Sequence, residues 1–174
     1  MTRYQAGDFA AATRLIELIS PRLYRFFLAQ YASRPMADDL LQETWLRIHR
    51  VRHTYRPAEP VLPWFYAIAR HVRVDHFRKV SRLAAREQGL ESLNQLAAAS
   101  PRSDAFVEIL AALPESQREV LQMLKVAGMS LEEVARATSS TVGSVKQKVH
   151  RAYKKLRERM GSRSAAGKGG ERPT

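Results

Sequence analysis

Between Thr141 and Arg157 the sequence reads TVGSVKQKVHRAYKKLR, and its residue types serve two purposes at once. Val142, Val145, Val149, Ala152 and Leu156 recur at steps of three and four, the spacing of one buried stripe on a helix. Between them stand Lys146, Gln147, Lys148, His150, Arg151, Lys154, Lys155 and Arg157. These side chains hold anionic oxygens and base edges: an amide pairs with adenine, a cation with guanine, and further cations with phosphates. No bond-breaking constellation accompanies them. His49 and His53 have metal-ligating spacing but lack the general base of an H-E-x-x-H motif, and His71, Asp75 and His76 do not share one helix face. With no cysteine and no glycine-rich phosphate loop, neither catalysis nor a metal or cofactor is expected.

Composition points the same way. The 174 residues carry 29 Lys+Arg against 17 Asp+Glu, a formal charge of +12, which favours a polyanionic partner. Apolar residues at 45% suffice for a core. The N-terminus is interrupted by Asp8, Arg14 and Glu17, unlike a signal peptide, and no apolar run is long enough to cross a membrane. The expected location is the cytoplasm.

The elements that position these residues read as helices throughout, so the fold class is all-α, with two small domains joined by a flexible linker. The first domain spans 1–86. Phe9, Ala12, Ile16 and Ile19 mark one helix, and Ser20-Pro21 is expected to restart the chain. Leu23, Phe26, Phe27 and Tyr31 continue the apolar face. The stretch MADDLLQETWLRIHRVR repeats the pattern at Leu40, Leu41, Thr44, Trp45 and Ile48, with acids in its expected first turn. Three prolines make HTYRPAEPVLP a stiff loop. A further helix from Trp64 places Trp64, Ile68 and Val72 inward and Arg70, Arg73 and Arg78 outward. Residues 87–103 read as linker, 104–160 as a second, four-helix domain, and 161–174 as a disordered tail. Within the second domain, Ser130 and Glu133 have capping-box spacing at the start of a short helix that precedes the basic one.

A short helix, a tight turn and a longer basic helix form a helix-turn-helix, whose second helix enters the major groove. The candidate duplex-contacting set is Thr141, Ser144, Lys146, Gln147, Lys148, His150, Arg151 and Lys154. The L-P-x-x-x-R-E-V start at Leu113, the S-L-E-E-V-A centre and T-V-G-S-V-K before the basic run closely resemble region 4 of bacterial sigma factors. DDLLQETWLRIHR resembles the family's core-binding segment, and PWFYAIARHVRVDHFRK its promoter-melting helix. Together the three motifs resemble the two-domain extracytoplasmic-function (ECF) sigma factors.

That resemblance implies a function. Asp38, Asp39, Gln42 and Glu43 would bind the clamp of the largest subunit of core RNA polymerase, and the second domain would meet the flap of the second-largest. Tyr55, Arg70, His71, Arg73, Arg78 and Lys79 would bind and open the minus-ten element, where a flipped base and a tracked backbone recover the cost of melting. The basic helix would read the minus-thirty-five element. His71 stands where many members carry asparagine, and the loop has prolines where theirs has glycine and serine, so the preferred minus-ten sequence does not carry over. An anti-sigma factor, of a kind often membrane-bound, is the implied inhibitory partner. The rival reading is a stand-alone helix-turn-helix regulator, which would leave the acidic helix and the aromatic loop without a task.

Overall fold

The computed structural model describes residues 1–31, 33–87 and 113–166. The linker, the helix expected from Asp104 and the tail beyond 166 lie outside the described residues. Seven α-helices are described: α1 (Thr2–Gln5), α2 (Phe9–Tyr31), α3 (Arg34–Val51), α4 (Val61–Glu87), α5 (Glu115–Lys125), α6 (Leu131–Ala137) and α7 (Val142–Ala166). A single 3-10 turn, Arg52–Thr54, follows α3. None of the described helices is long and apolar enough to cross a membrane.

Helix α2 runs without a break through Pro21, where a restart was expected. Pro21 lacks the N–H that would bond the Glu17 carbonyl, a local cost of about 3 kcal/mol. Both residues lie on the exposed side, while Ile19, Leu23, Phe26 and Phe27 are buried on the other. Packing of that stripe outweighs the local cost. Ser20 caps nothing; its Oγ accepts from Trp45 Nε1 at 2.9 Å and joins α2 to α3. In the first turns of α2 it is Ala11, Ala12 and Leu15 that pack against the core, while Phe9 and Ile16, expected inward, are 89% and 45% exposed.

Helix α3 starts earlier than its acids suggest. Ser33 Oγ accepts from Met36 N–H at 3.4 Å, and Pro35 occupies the first turn. Asp38 and Asp39 therefore lie one turn further in, beyond the reach of the helix N-terminus. Helix α4 likewise begins at Val61, with Pro63 in its first turn, so the loop is shorter than the proline count implied. Helix α7 continues to Ala166, past the expected start of the tail, because helix propagation is easier than nucleation and Ala165 and Ala166 favour it.

The core of the first half is aromatic. Phe26 meets Phe27 and Tyr66 edge to face, each pair with centroids 5.4 Å apart. Burial raises the Tyr66 phenol to about 12, so it stays neutral at any physiological pH. In the second half, Leu113, Leu121 and Ala152 form a smaller cluster with Val149 and Leu156. The larger cluster does not stop at the first half: Val120, Met123, Val134, Ala135, Ala137 and Val145 belong to it together with Tyr66, Ala69 and Val72. Helix α6 packs on α4, and α5 on α2. Phe27→Ala should therefore destabilise the chain by about 3–5 kcal/mol, read as a shifted midpoint in denaturant unfolding.

Candidate nucleic-acid and polymerase interfaces

The second half presents its cationic helix as the spacing requires. Val145 and Ala152 are fully buried and Val142, Val149 and Leu156 half-buried. Lys146, Gln147, His150, Arg151, Lys154 and Lys155 are exposed, and Lys148 is half-buried. Two local devices fix this helix. Glycine at 128 adopts φ +67 and ends α5, while Met129 N–H reaches back to the Met123 carbonyl at 3.1 Å. Ser130 and Glu133 then close the capping box of α6, at 3.1 Å and 2.8 Å. The turn to α7 is tight: Ser139 takes φ +49, and Thr138 Oγ1 lies 2.7 Å from Ser140 Oγ. Thr141 Oγ1 accepts from Ser144 N–H at 3.1 Å, so both residues shape the start of α7 as well as lying beside its cations.

On the first half, Asp38, Asp39 and Gln42 are exposed on α3 and Glu43 is half-buried. Leu46, 48% exposed, continues this face at helical spacing. The result is an acidic, hydrogen-bonding strip with one apolar contact, standing on a protein of opposite net charge. At the edge of this strip Arg47 lies 3.9 Å from Glu43, one turn before it, and donates to Asp75 at 2.7 Å, tying α3 to α4. The same bond holds the Asp75 carboxyl below its usual range.

The structure divides the candidate minus-ten set. His71, Arg78 and Lys79 are exposed on α4. Tyr55 is buried at 7% exposure; its hydroxyl donates to the Glu59 carbonyl at 2.6 Å and its ring meets Trp64 at 5.6 Å. Trp64, placed in the core by its spacing, is half-buried between Tyr55 and Phe65. Arg73, expected to face outward, is only 4% exposed. Its guanidinium pairs with Glu115 and, at 3.1 Å, with Glu119. Arg70 Nε also meets Glu119, at 3.1 Å from Oε1. A carboxylate face more than forty residues downstream thus covers Arg73 and pairs with Arg70, whose side chain stays 32% exposed.

Residues 15–83 match the family model described as Sigma-70 region 2, and residues 103–156 the one described as Sigma-70, region 4. The chain is 34% identical over 165 residues to the ECF RNA polymerase sigma factor SigF of Caulobacter vibrioides, covering 92% of this chain and 91% of that protein. This chain belongs to the ECF sigma factors. It is also 31% identical over 169 residues to the RNA polymerase sigma factor CarQ of Myxococcus xanthus, across 92% of this chain and 95% of that one. Two solved structures share the fold of this sigma factor. The sigma factor RpoE from Bartonella quintana, in complex with the anti-sigma factor NepR, aligns with a TM-score of 0.75 at 21% identity over 85% of this chain and 95% of that one. CnrH, in complex with the cytosolic domain of CnrY, aligns at 0.71 and 21% identity over 92% of this chain and 94% of that one.

Sequence reasoning missed the residue that holds the loop. Gln5 on α1 donates from Nε2 to the carbonyls of both Arg52 and Tyr55, each at 2.8 Å. Beside it Tyr4 OH lies 3.1 Å from His49 Nδ1, which gives that histidine an internal partner. No local pattern announces such contacts, because they span 45 residues or more. Gln5→Ala should leave two carbonyls short of a donor, costing about 1–3 kcal/mol. Amide hydrogen exchange across residues 52–60 should accelerate, with little change in α5 to α7.

Proposed function

We propose that this sigma factor binds core RNA polymerase through the exposed α3 strip and directs initiation at promoters with two spaced elements. Residues 1–86 would engage polymerase and the minus-ten element, 87–103 would connect, and 104–160 would read the minus-thirty-five duplex. The observation that carries this reading is the pairing of two unlike faces on one chain. An exposed cationic helix in a helix-turn-helix suits duplex DNA, and an acidic strip on α3 suits a basic protein surface and repels DNA. A stand-alone regulator would use the first face and leave the second idle.

Within the second unit, Gln147 is the base-edge candidate and Lys146 a second one; Lys148, His150, Arg151 and Lys154 meet phosphates. Thr141 and Ser144 place backbone and hydroxyl groups at the N-terminal turn of α7, where a phosphate is favoured. In the first unit, His71, Arg78 and Lys79 flank the opened strand, and Tyr55 supports the loop beside it. Phosphodiester chemistry belongs to the polymerase. The RpoE–NepR and CnrH–CnrY complexes support an anti-sigma partner for this chain as well, and work with these partners would take place in the cytoplasm.

Run-off transcription with core polymerase on a genomic promoter library tests the proposal. Added protein should produce new start sites that share two upstream elements. Absence of new starts, together with tight duplex binding by the protein alone, would favour a stand-alone regulator. On the mapped promoters, Gln147→Ala should relax base preference at one position by about 1–3 kcal/mol. Lys154→Ala should weaken all promoters alike and reduce the slope of log affinity against log salt by about one.

A further inference from the structure

The loop between α3 and α4 exposes Arg56, Pro57, Ala58 and Glu59, with Tyr55 buried just before them. Its own bonds fold it tightly: Tyr55 OH donates to the Glu59 carbonyl at 2.6 Å, and Glu59 N–H to the Arg56 carbonyl at 2.9 Å. The Tyr55 ring seats it against Trp64. Gln5 supplies the attachment at the end nearest α3. Its Nε2 lies 2.8 Å from both the Arg52 and the Tyr55 carbonyl, and a carbonyl only accepts, so both protons of one amide are engaged. Glutamate has that length without the donors, and asparagine has the donors without the length.

Further contacts hold Gln5 itself in place. Tyr4, buried in the core, sets its hydroxyl 3.1 Å from His49 Nδ1 at the end of α3. Gly7 adopts φ +87 and turns the chain out of α1, where Asp8 N–H reaches the Arg3 carbonyl at 3.0 Å. Arg3 Nε donates to Asp8 Oδ2 at 2.8 Å, and Asp8 Oδ1 accepts from Ala11 N–H at 3.0 Å as α2 begins. A helix of four residues gains little from its own hydrogen bonds. These ties are what keep it on the loop.

Affinity and discrimination depend on such a loop differently. Exposed cations such as Arg78 and Lys79 attract a nucleic-acid backbone through a field that changes little over an ångström. Telling one base from another requires donors and acceptors within a few tenths of an ångström of good geometry. We propose that Gln5 is a positioning residue for minus-ten recognition: by fixing the loop backbone at Arg52 and Tyr55, it sets how sharply the unpaired base is distinguished rather than how tightly the promoter is held. This rests on the promoter reading above, in which the loop lies beside the opened strand.

The test is transcription by core polymerase from a mapped promoter and from copies with each minus-ten and minus-thirty-five base replaced in turn. The readout is the ratio of best to worst base at each position. Gln5→Ala and the similarly sized Gln5→Glu should each lower that ratio about tenfold at a minus-ten position. Ratios across the minus-thirty-five element should not change. Unaltered ratios at every minus-ten position overturn the proposal. So does full discrimination by Gln5→Glu, because side-chain shape and not donated bonds would then hold the loop. Ile19→Val trims the buried core of α2 without removing a donor, which separates positioning from general loosening. It should leave all ratios intact, and a fall equal to that of Gln5→Ala refutes the assignment. If the unsubstituted chain yields no new starts, the promoter reading fails and this inference fails with it; new starts with unaltered ratios sink the inference alone.

Discussion

A guanidinium removed from water must find acceptors or impose a large desolvation cost on the fold. Arg73, 4% exposed, finds them in Glu115 and Glu119. That pairing decides where α5 can sit, and α5 in turn fixes the position of the helix-turn-helix. Because Glu119 also meets Arg70, one nearly buried carboxylate neutralises two cations of α4. The apolar contacts of α6 on α4 then close around this centre.

Both working faces survive the closure. The α3 strip and the cations of α7 remain exposed. The covered surface is the side of α4 that carries Arg73. The long-range Arg136–Glu59 pair, 3.6 Å apart and exposed at both ends, adds little energy to this arrangement but brings the loop before α4 beside the short helix of the helix-turn-helix.

Most of the fold was legible in local pattern. The valine stripe of α7, the Ser130–Glu133 capping box and the glycine stop at 128 follow from residue type and spacing over a few positions, and the structure contains each. What was not legible depends on distant partners. Pro21 looked like a boundary because propensity is local, whereas packing on both sides of it is not. Phe9 looked buried because periodicity says which face is apolar and not whether anything covers it. Arg73 looked exposed because its partners are carried by a helix 42 and 46 residues later. Glu115, Glu119 and Gln122 held the one available signal: three polar residues at helical spacing on a helix that also carries a strong apolar stripe. Gln5 offered none.

The separation between the two halves tests this account most directly. A donor dye on α3 and an acceptor on α7 of the full chain would report it by energy transfer, first free in solution and then bound to core polymerase and promoter DNA. The account predicts one short distance in the free protein, lengthening by tens of ångströms in the promoter complex, on the order of the two-turn spacing of the elements. An extended distance already in the free protein would contradict it, and so would a short one that persists on the promoter.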